Sequence, residues 1–517
     1  MSDIQERSDF VSSQLLRIHS QVSDDYRARG ADRDSTGVVI LIGVALLLRA
    51  MDEADGIVGQ SNSRLSTILD QGRSSIAKAI LDSLTGSKAW NDGIWNELFY
   101  MMEVEVRDFE DERIRFILKR VEKLEVPGVS LGEKFLLGRA FQGLIELLGS
   151  RPIAINSSVT RFMAALAGSS AENLVISDPF FGGGFLPFEV AFQAVKAGGN
   201  HPVIEGKTPN KGLWVLSNLL GLVYGFDCQI EVGDSIRNPA SDSREQLKTY
   251  DMVISSPSLG VKIPVGETFD KYNRFAEMTQ SSEWMALQHI VATLSERGKA
   301  VVLTGPSVLF SKGAGARIRT QWIQEDILES VITLPVGMWQ PVTNVAPVIL
   351  VFNKNKAEDN RRTIFFLQIE GDEYIGTVPK MRGRKILREE GIPKILEQFR
   401  WAQEDRSYLD TFSQVFRDRV FWRRSASIEQ NGCDLRLQQF FEEEKALQRV
   451  LVPFILNGKV IEAMKSQREA EACLDHLLQK HFHISLKEKE YPPESDKVRA
   501  KRRAMMKKHQ AELDENG

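Results

Sequence analysis

The chain has 517 residues, 42% of them hydrophobic and 26% charged, proportions ordinary for a soluble globular protein and a length that suits about three domains. Its net charge of -4 excludes a bulk polycation, so any nucleic-acid contact falls to local patches or to a partner. Cys228, Cys433 and Cys473 stand far apart without a Cys-x-x-Cys pair, which argues against a disulfide framework or a zinc ribbon and for a reducing cytosol.

Residues 1–148 are predicted to be helical. The run "GVVILIGVALLLRAM" is free of charge from Val38 to Leu48, too short for the roughly 20 residues of a membrane span and too far inside the chain for a signal peptide. A buried helix is expected there, and no membrane association. "SRLSTILDQGRSSIAKAILDSL" and "FILKRVEKLEVPGVSLGEKFLLGRAFQGLIELL" repeat apolar residues at three- and four-residue spacing. From about residue 149 short apolar runs alternate with helix-length segments. "NLVIS" precedes Asp178, "PVI" precedes Glu205, "QIEV" precedes Gly233-Asp234 and "DMVI" precedes Ser255; "AVVLT", "SVITLP" and "PVILVFN" follow. This order predicts βαβ units and an α/β, doubly wound, mostly parallel sheet. The linker "VGMWQPVTNVA" between the last two runs has no helical period, so they are expected to form an antiparallel pair at the end of the sheet. The expected divisions are a helical domain at 1–148, the α/β domain at 149–358, a mixed extension at 359–445 and a helical tail at 446–517. The tail ends in "KVRAKRRAMMKK", whose lysines and arginines suit a solvated helix end or a phosphate-backbone contact.

"SDPFFGGGFLPFEV" is the strongest local signal. Asp178-Pro179 opens a turn after a strand, and Gly182, Gly183 and Gly184 precede a helix, so the backbone can approach a ligand at a positive helix end. A dinucleotide fingerprint needs a glycine at 187, where this chain has proline. Glu205, expected at the end of the second strand, can take two ribose hydroxyls; Asp234, after the third, can accept from an adenine amino group. Acids at successive strand ends fit a nucleoside with a neutral or positive tail, which points to S-adenosylmethionine. No metal is expected: Cys473, His476, His481 and His483 lack a metal-ligand spacing, and no Ser-His-Asp set, Walker loop or His-Glu-x-x-His motif is present.

In this order the motifs resemble those of the modification (methyltransferase) subunits of type I restriction–modification systems. "DPFFGGGFL" is similar to that family's Asp-Pro-x-x-Gly-x-Gly cofactor motif, and "SNLLGLVYG", "GDS", "IRTQWIQEDILESVITLPVGMWQPVTNVAPVILVFNKNK" and "IEQNGCDLRLQQF" follow co-linearly, so the likeness covers roughly residues 35 to 443. It implies a class I S-adenosylmethionine-dependent methyltransferase fold flanked by an N-terminal helical domain and a helical C-terminal region. It implies cofactor contacts at Asp178, Pro179, Gly182, Gly184, Glu205 and Asp234. It further implies adenine-N6 methylation of DNA, a separate specificity subunit, a restriction or other defence subunit as a further partner, and a cytoplasmic location. Two departures stand out. "AINSSVTRFM" puts Ala154, Ile155 and Asn156 where the family has Phe-Thr-Pro. Ser256-Pro257-Ser258-Leu259 occupies the place of the catalytic Asn-Pro-Pro-Phe. Ser256 keeps one acceptor, but Leu259 has no π-face for a base. The loop therefore predicts reduced or altered base chemistry, and the alternative to an enzyme is a methyltransferase-like scaffold that binds DNA or defence partners.

Overall fold

The computed structural model describes residues 2–28, 36–55, 63–70, 111–127, 132–148, 156–168, 174–199, 202–264, 269–340, 343–378, 383–404 and 420–436, with isolated positions between 76 and 83. The basic tail, the Cys473–His483 group, Ala154 and Ile155 lie outside the described residues.

Among the described residues the first helices are α1 (Ser2–Ala28), α2 (Thr36–Ala54), α3 (Arg64–Asp70), α4 (Asp111–Glu122) and α5 (Glu133–Leu147). The run Val38–Leu48 is buried throughout, so α2 is the core of this layer, as its unbroken apolar sequence predicts. Among the described residues no helix is long and apolar enough to cross a membrane. The layer packs on α8 (Lys211–Tyr224) through glycines. A Cβ on Gly43 would lie 2.5 Å from Leu219, and one on Gly138 would lie 2.5 Å from Tyr224. A buried Arg139–Glu189 pair at 2.9 Å ties α5 to α7 (Phe185–Lys196).

After α6 (Ser157–Ala167) the chain enters a nine-stranded sheet. The strands are β1 (Val175–Asp178), β2 (Val203–Thr208), β3 (Asp227–Val232), β4 (Tyr250–Ser255), β5 (Leu294–Thr304), β6 (Leu328–Thr333), β7 (Val348–Asn353), β8 (Thr363–Gln368) and β11 (Val420–Arg424). Their order is β11-β8-β6-β7-β5-β4-β1-β2-β3. β1, β2, β3, β4 and β5 run parallel with one another, whereas β7 is antiparallel to both β5 and β6. The expected antiparallel pair exists, but it lies inside the sheet. β8 joins β6 in parallel and β11 closes the edge, so the segment after residue 359 extends the sheet. The small hairpin β9 (Ile375–Thr377) and β10 (Lys385–Leu387), with α9 (Ser282–Ala292), α10 (Ala314–Gln324), α11 (Gly391–Glu404) and α12 (Ser425–Gln430), completes the unit.

β2 outruns the apolar segment that announces it. Glu205 is its third residue and Thr208 its last, so Glu205 does not end the strand. The sequence hides this because Glu205 and Lys207 are charged. Both are tolerated in a strand because each finds partners. Lys248 Nζ lies 2.6 Å from Glu205 Oε2, and the Tyr250 hydroxyl donates to the same oxygen at 3.1 Å. Lys207 donates to the Asn238 carbonyl at 3.1 Å and pairs with Glu231 at 2.9 Å.

Candidate functional site

The carboxyl edge of the sheet brings two turns together. β1 ends at Asp178, and β4, its hydrogen-bonded neighbour, ends at Ser255. Ser255 Oγ donates to Asp178 Oδ1 at 2.6 Å, and the Phe180 backbone N–H donates to the same oxygen at 3.1 Å. Asp178 is buried, and burial pushes its carboxyl up from 3.8 to about 7, against the opposing pull of the Ser255 and Phe180 hydrogen bonds.

The glycine-rich turn is held on three sides. Ser235 Oγ donates to the Pro179 carbonyl at 2.6 Å, Ser217 Oγ to the Gly182 carbonyl at 3.1 Å, and the Phe181 N–H to the Lys207 carbonyl at 2.8 Å. Gly184 caps α7 at φ 78°, a left-handed backbone that favours glycine. Gly206, opposite Asp178 in β2, is needed for space: a Cβ there would lie 2.2 Å from the Phe181 ring and 2.6 Å from the Asp178 carbonyl. The turn thus carries no side chain at Gly182, Gly183 or Gly184, which leaves backbone at the helix end.

Asp234 lies in the turn after β3, where its Oδ1 accepts from the Ile236 N–H at 2.9 Å and its Oδ2 from Arg237 at 3.1 Å. Behind that turn the buried Arg274 donates to the Ser235 carbonyl at 3.0 Å and to the Ile236 carbonyl at 2.7 Å, and pairs with Asp270. Arg274 Nη1 also lies 3.0 Å from His289 Nδ1. Burial first, then the charges of Arg274 and Lys207, hold His289 down at about 3, so this imidazole is neutral.

Ser256, Pro257, Ser258 and Leu259 leave β4 directly after the Ser255–Asp178 bond. Ser256 is half-buried, Pro257 buried and Ser258 exposed. Ser282 Oγ donates to the Ser258 carbonyl at 3.4 Å, which fixes the loop to the start of α9. The next residue, Glu283, is buried and accepts from Thr304 at 2.6 Å, from the Gly305 N–H at 3.0 Å and from Ser307 at 3.2 Å. One carboxylate therefore ties the loop after β5 to the helix that holds the loop after β4. Asn156, in the segment that departs from the family's Phe-Thr-Pro, has a structural part. It caps α6 by accepting from the Ser158 N–H at 3.1 Å, and donates to the Lys385 carbonyl at 2.7 Å.

Asp178, Pro179, Gly182 and Gly184 thus share one edge with the Ser256–Leu259 loop, and Asp234 stands at the end of β3 on the same edge. Glu205 is set back within β2. The residues that sequence reasoning missed are Ser217, Ser235, Ser255, Arg274, Glu283 and His289. Ser217 and Ser235 stand in the "SNLLGLVYG" and "GDS" segments, but each of these residues acts through a bond to a distant element, which no spacing marks. Among the described residues no group of three or more His, Cys, Asp or Glu could hold a metal ion.

A family model described as N-6 DNA methylase matches residues 156–445. The chain is 26% identical over 323 residues to the type I restriction enzyme MjaVII methylase subunit of Methanocaldococcus jannaschii, covering 57% of this chain and 53% of the relative. It is 25% identical over 258 residues to the EcoEI methylase subunit of Escherichia coli, covering 47% and 51%. The chain spans about half the length of these curated relatives. Among solved structures, a type I restriction-modification system methyltransferase subunit from Streptococcus thermophilus superposes with a TM-score of 0.59 at 16% identity, over 84% of this chain and 98% of that one. A modification subunit of a putative type I restriction enzyme from Vibrio vulnificus does so at 0.58 and 17%, over 81% and 93%. At these identities the superpositions establish the shared fold.

Proposed function

The chain belongs to the N-6 DNA methylase family, and from that premise we propose that it transfers the methyl group of S-adenosylmethionine to the N6 amino group of adenine in DNA, as the modification subunit of a type I system. The observation that carries this reading is the 2.6 Å bond between Ser255 and Asp178, which joins the glycine-rich turn to the Ser-Pro-Ser-Leu loop at one sheet edge. When bound, the cofactor supplies an electrophilic methyl on a sulfonium. The chain's share of the work is binding and aim. The bare backbone at Gly182–Gly184 admits a close ligand, and Asp178 and Asp234 offer acceptors to its amino and hydroxyl groups. The Ser256 hydroxyl and the Pro257 carbonyl would accept the two hydrogens of the base's amine, which turns the nitrogen lone pair towards the methyl. With the cofactor bound, the amine nitrogen would take the methyl from the sulfonium sulfur, which would leave as a neutral thioether, and the amine's proton would pass to water. His289 does not take it, being buried and already the acceptor of Arg274.

Glu205 is given a positioning role: its carboxylate holds Lys248 and Tyr250, and Thr208 takes the strand end. Glu205→Gln is therefore expected to change cofactor affinity by less than about threefold, against the tenfold or more that losing a charged hydrogen bond costs. Calorimetry with S-adenosylmethionine checks this, and a large loss would return Glu205 to the ribose contact. DNA, a specificity protein and a restriction or other defence protein are the proposed partners, supported by the type I names of the relatives. Leu259 supports the second reading, a scaffold with impaired chemistry. Methyl transfer to DNA, read by mass spectrometry, separates the two.

A further inference from the structure

Among the described residues, most large apolar side chains that stand exposed lie at one edge. Val261, Phe269 and Met278 follow β4, Phe310 follows β5, Val336 and Val345 follow β6, and Val232 ends β3. This is the edge that carries the candidate site. Leu259, in the catalytic loop, is turned inward: it packs against the core, and a Cβ built on Gly305 would lie 3.6 Å from its Cδ1. A loop that must hold a planar base is thus left without a ring of its own.

Phe310 lies in the loop after β5, the strand that pairs with β4. The chain passes from Gly305 into a short 3-10 turn, Pro306–Leu309, and reaches Phe310 at its end. At about 2 Å of rise per residue, Phe310 lies on the order of 10 Å from Gly305. The turn is anchored where the catalytic loop is anchored, through Gly305 and Ser307 on Glu283. Phe310 is 42% exposed, yet its ring is held: the Arg436 guanidinium lies 5.0 Å from its centroid. Arg436 is itself fixed by Asp434 at 2.7 and 3.0 Å, and the Leu435 N–H donates to the Leu309 carbonyl at 2.9 Å. Other rings are less suited. Trp339 is buried, and Phe180 packs edge-on against His289 at 5.9 Å.

We propose that Phe310 is the base-stacking residue of this protein, offering the face that Leu259 lacks to an adenine drawn out of the DNA, with Arg436 holding the ring in place. The inference rests on the methyltransferase reading above, because an extruded base is what that chemistry presents.

The test uses the full chain and two labelled 12-mers of equal phosphate count, oligo-dA and a fully abasic strand, in fluorescence anisotropy. Wild type is expected to prefer oligo-dA by roughly tenfold or more, the range of a base–aromatic stack. Phe310→Ala should bring the two affinities within about twofold while the melting curve stays that of wild type, and Phe310→Trp should keep the preference. Equal affinity of wild type for both strands, binding of neither, or a preference that survives Phe310→Ala overturns the proposal. S-adenosylmethionine calorimetry on the same samples separates the failures. Loss of the base preference with cofactor binding intact overturns the stacking role alone, whereas no cofactor binding in wild type removes the reading beneath it.

Discussion

Gly206→Ala is expected to abolish cofactor binding with little change in secondary structure. The new methyl would lie 2.2 Å from Phe181 and 2.6 Å from the Asp178 carbonyl, both inside contact distance. Phe181 cannot swing away freely, since its ring is buried edge-to-face against Phe188 at 5.9 Å and its N–H is bonded to Lys207. The glycine-rich turn must therefore shift as a body. Overpacking of this kind costs about 1–3 kcal/mol of stability. The functional loss is larger, because a displacement of about 1 Å at a positioned group costs roughly a hundredfold. Calorimetry should show that loss, and Phe181→Leu in the Gly206→Ala background should recover part of it, because the ring is one of the two obstacles. An unchanged affinity in Gly206→Ala would place the ligand away from this turn.

Asp178→Asn is expected to move stability and binding in opposite directions. Burial raises the native carboxyl from 3.8 to about 7, so between those values the native state keeps a proton that the unfolded chain has released. Its contribution to stability is complete below pH 4 and is lost as pH rises to about 7. Asparagine does not titrate. The variant should melt with wild type at pH 4 and above it at pH 8, by an amount on the order of a few kcal/mol. Cofactor binding should go the other way. A ligand that donates to the ionised carboxylate binds more tightly as pH rises through 7, and the variant should lose roughly 10- to 150-fold at pH 8, the range for a hydrogen bond to a charged group. Calorimetry from pH 6 to 8 reads the slope in wild type and its absence in the variant. Parallel melting curves at every pH would mean that Asp178 is ionised in the free protein.

How much of this could be read from the sequence depended on whether a residue's role is local. β1, β4, β5, β6 and β7 show as apolar runs because both faces of a central strand are buried. The turn at Asp178–Gly184 shows because glycine and proline mark it. β2 is only half legible, since Glu205 and Lys207 interrupt the run and are made acceptable by Lys248, Tyr250, Glu231 and Asn238, none of them nearby in sequence. β8 was readable in "TIFFLQ" but lies past the segment that carries the site motifs, and β11 becomes a strand only by pairing with it. The bond from Ser255 to Asp178 spans 77 positions, and no spacing rule reaches that far. The glycines of α2 and α5 likewise look like ordinary weak points in helices until Leu219 and Tyr224 are seen against them. Asn156, part of the departure from the family's Phe-Thr-Pro, serves as a helix cap.

On the proposed function, the edge joining Asp178 to the Ser256–Leu259 loop methylates adenine at N6. The most direct measurement incubates the full chain, together with the proteins encoded beside it, with unmethylated DNA and S-adenosylmethionine labelled in the methyl group, followed by mass spectrometry of the nucleosides. The account predicts labelled N6-methyladenine from wild type and a strong loss in Asp178→Asn at pH 8. Label on cytosine N4, or no label in DNA although cofactor and DNA both bind, would contradict it.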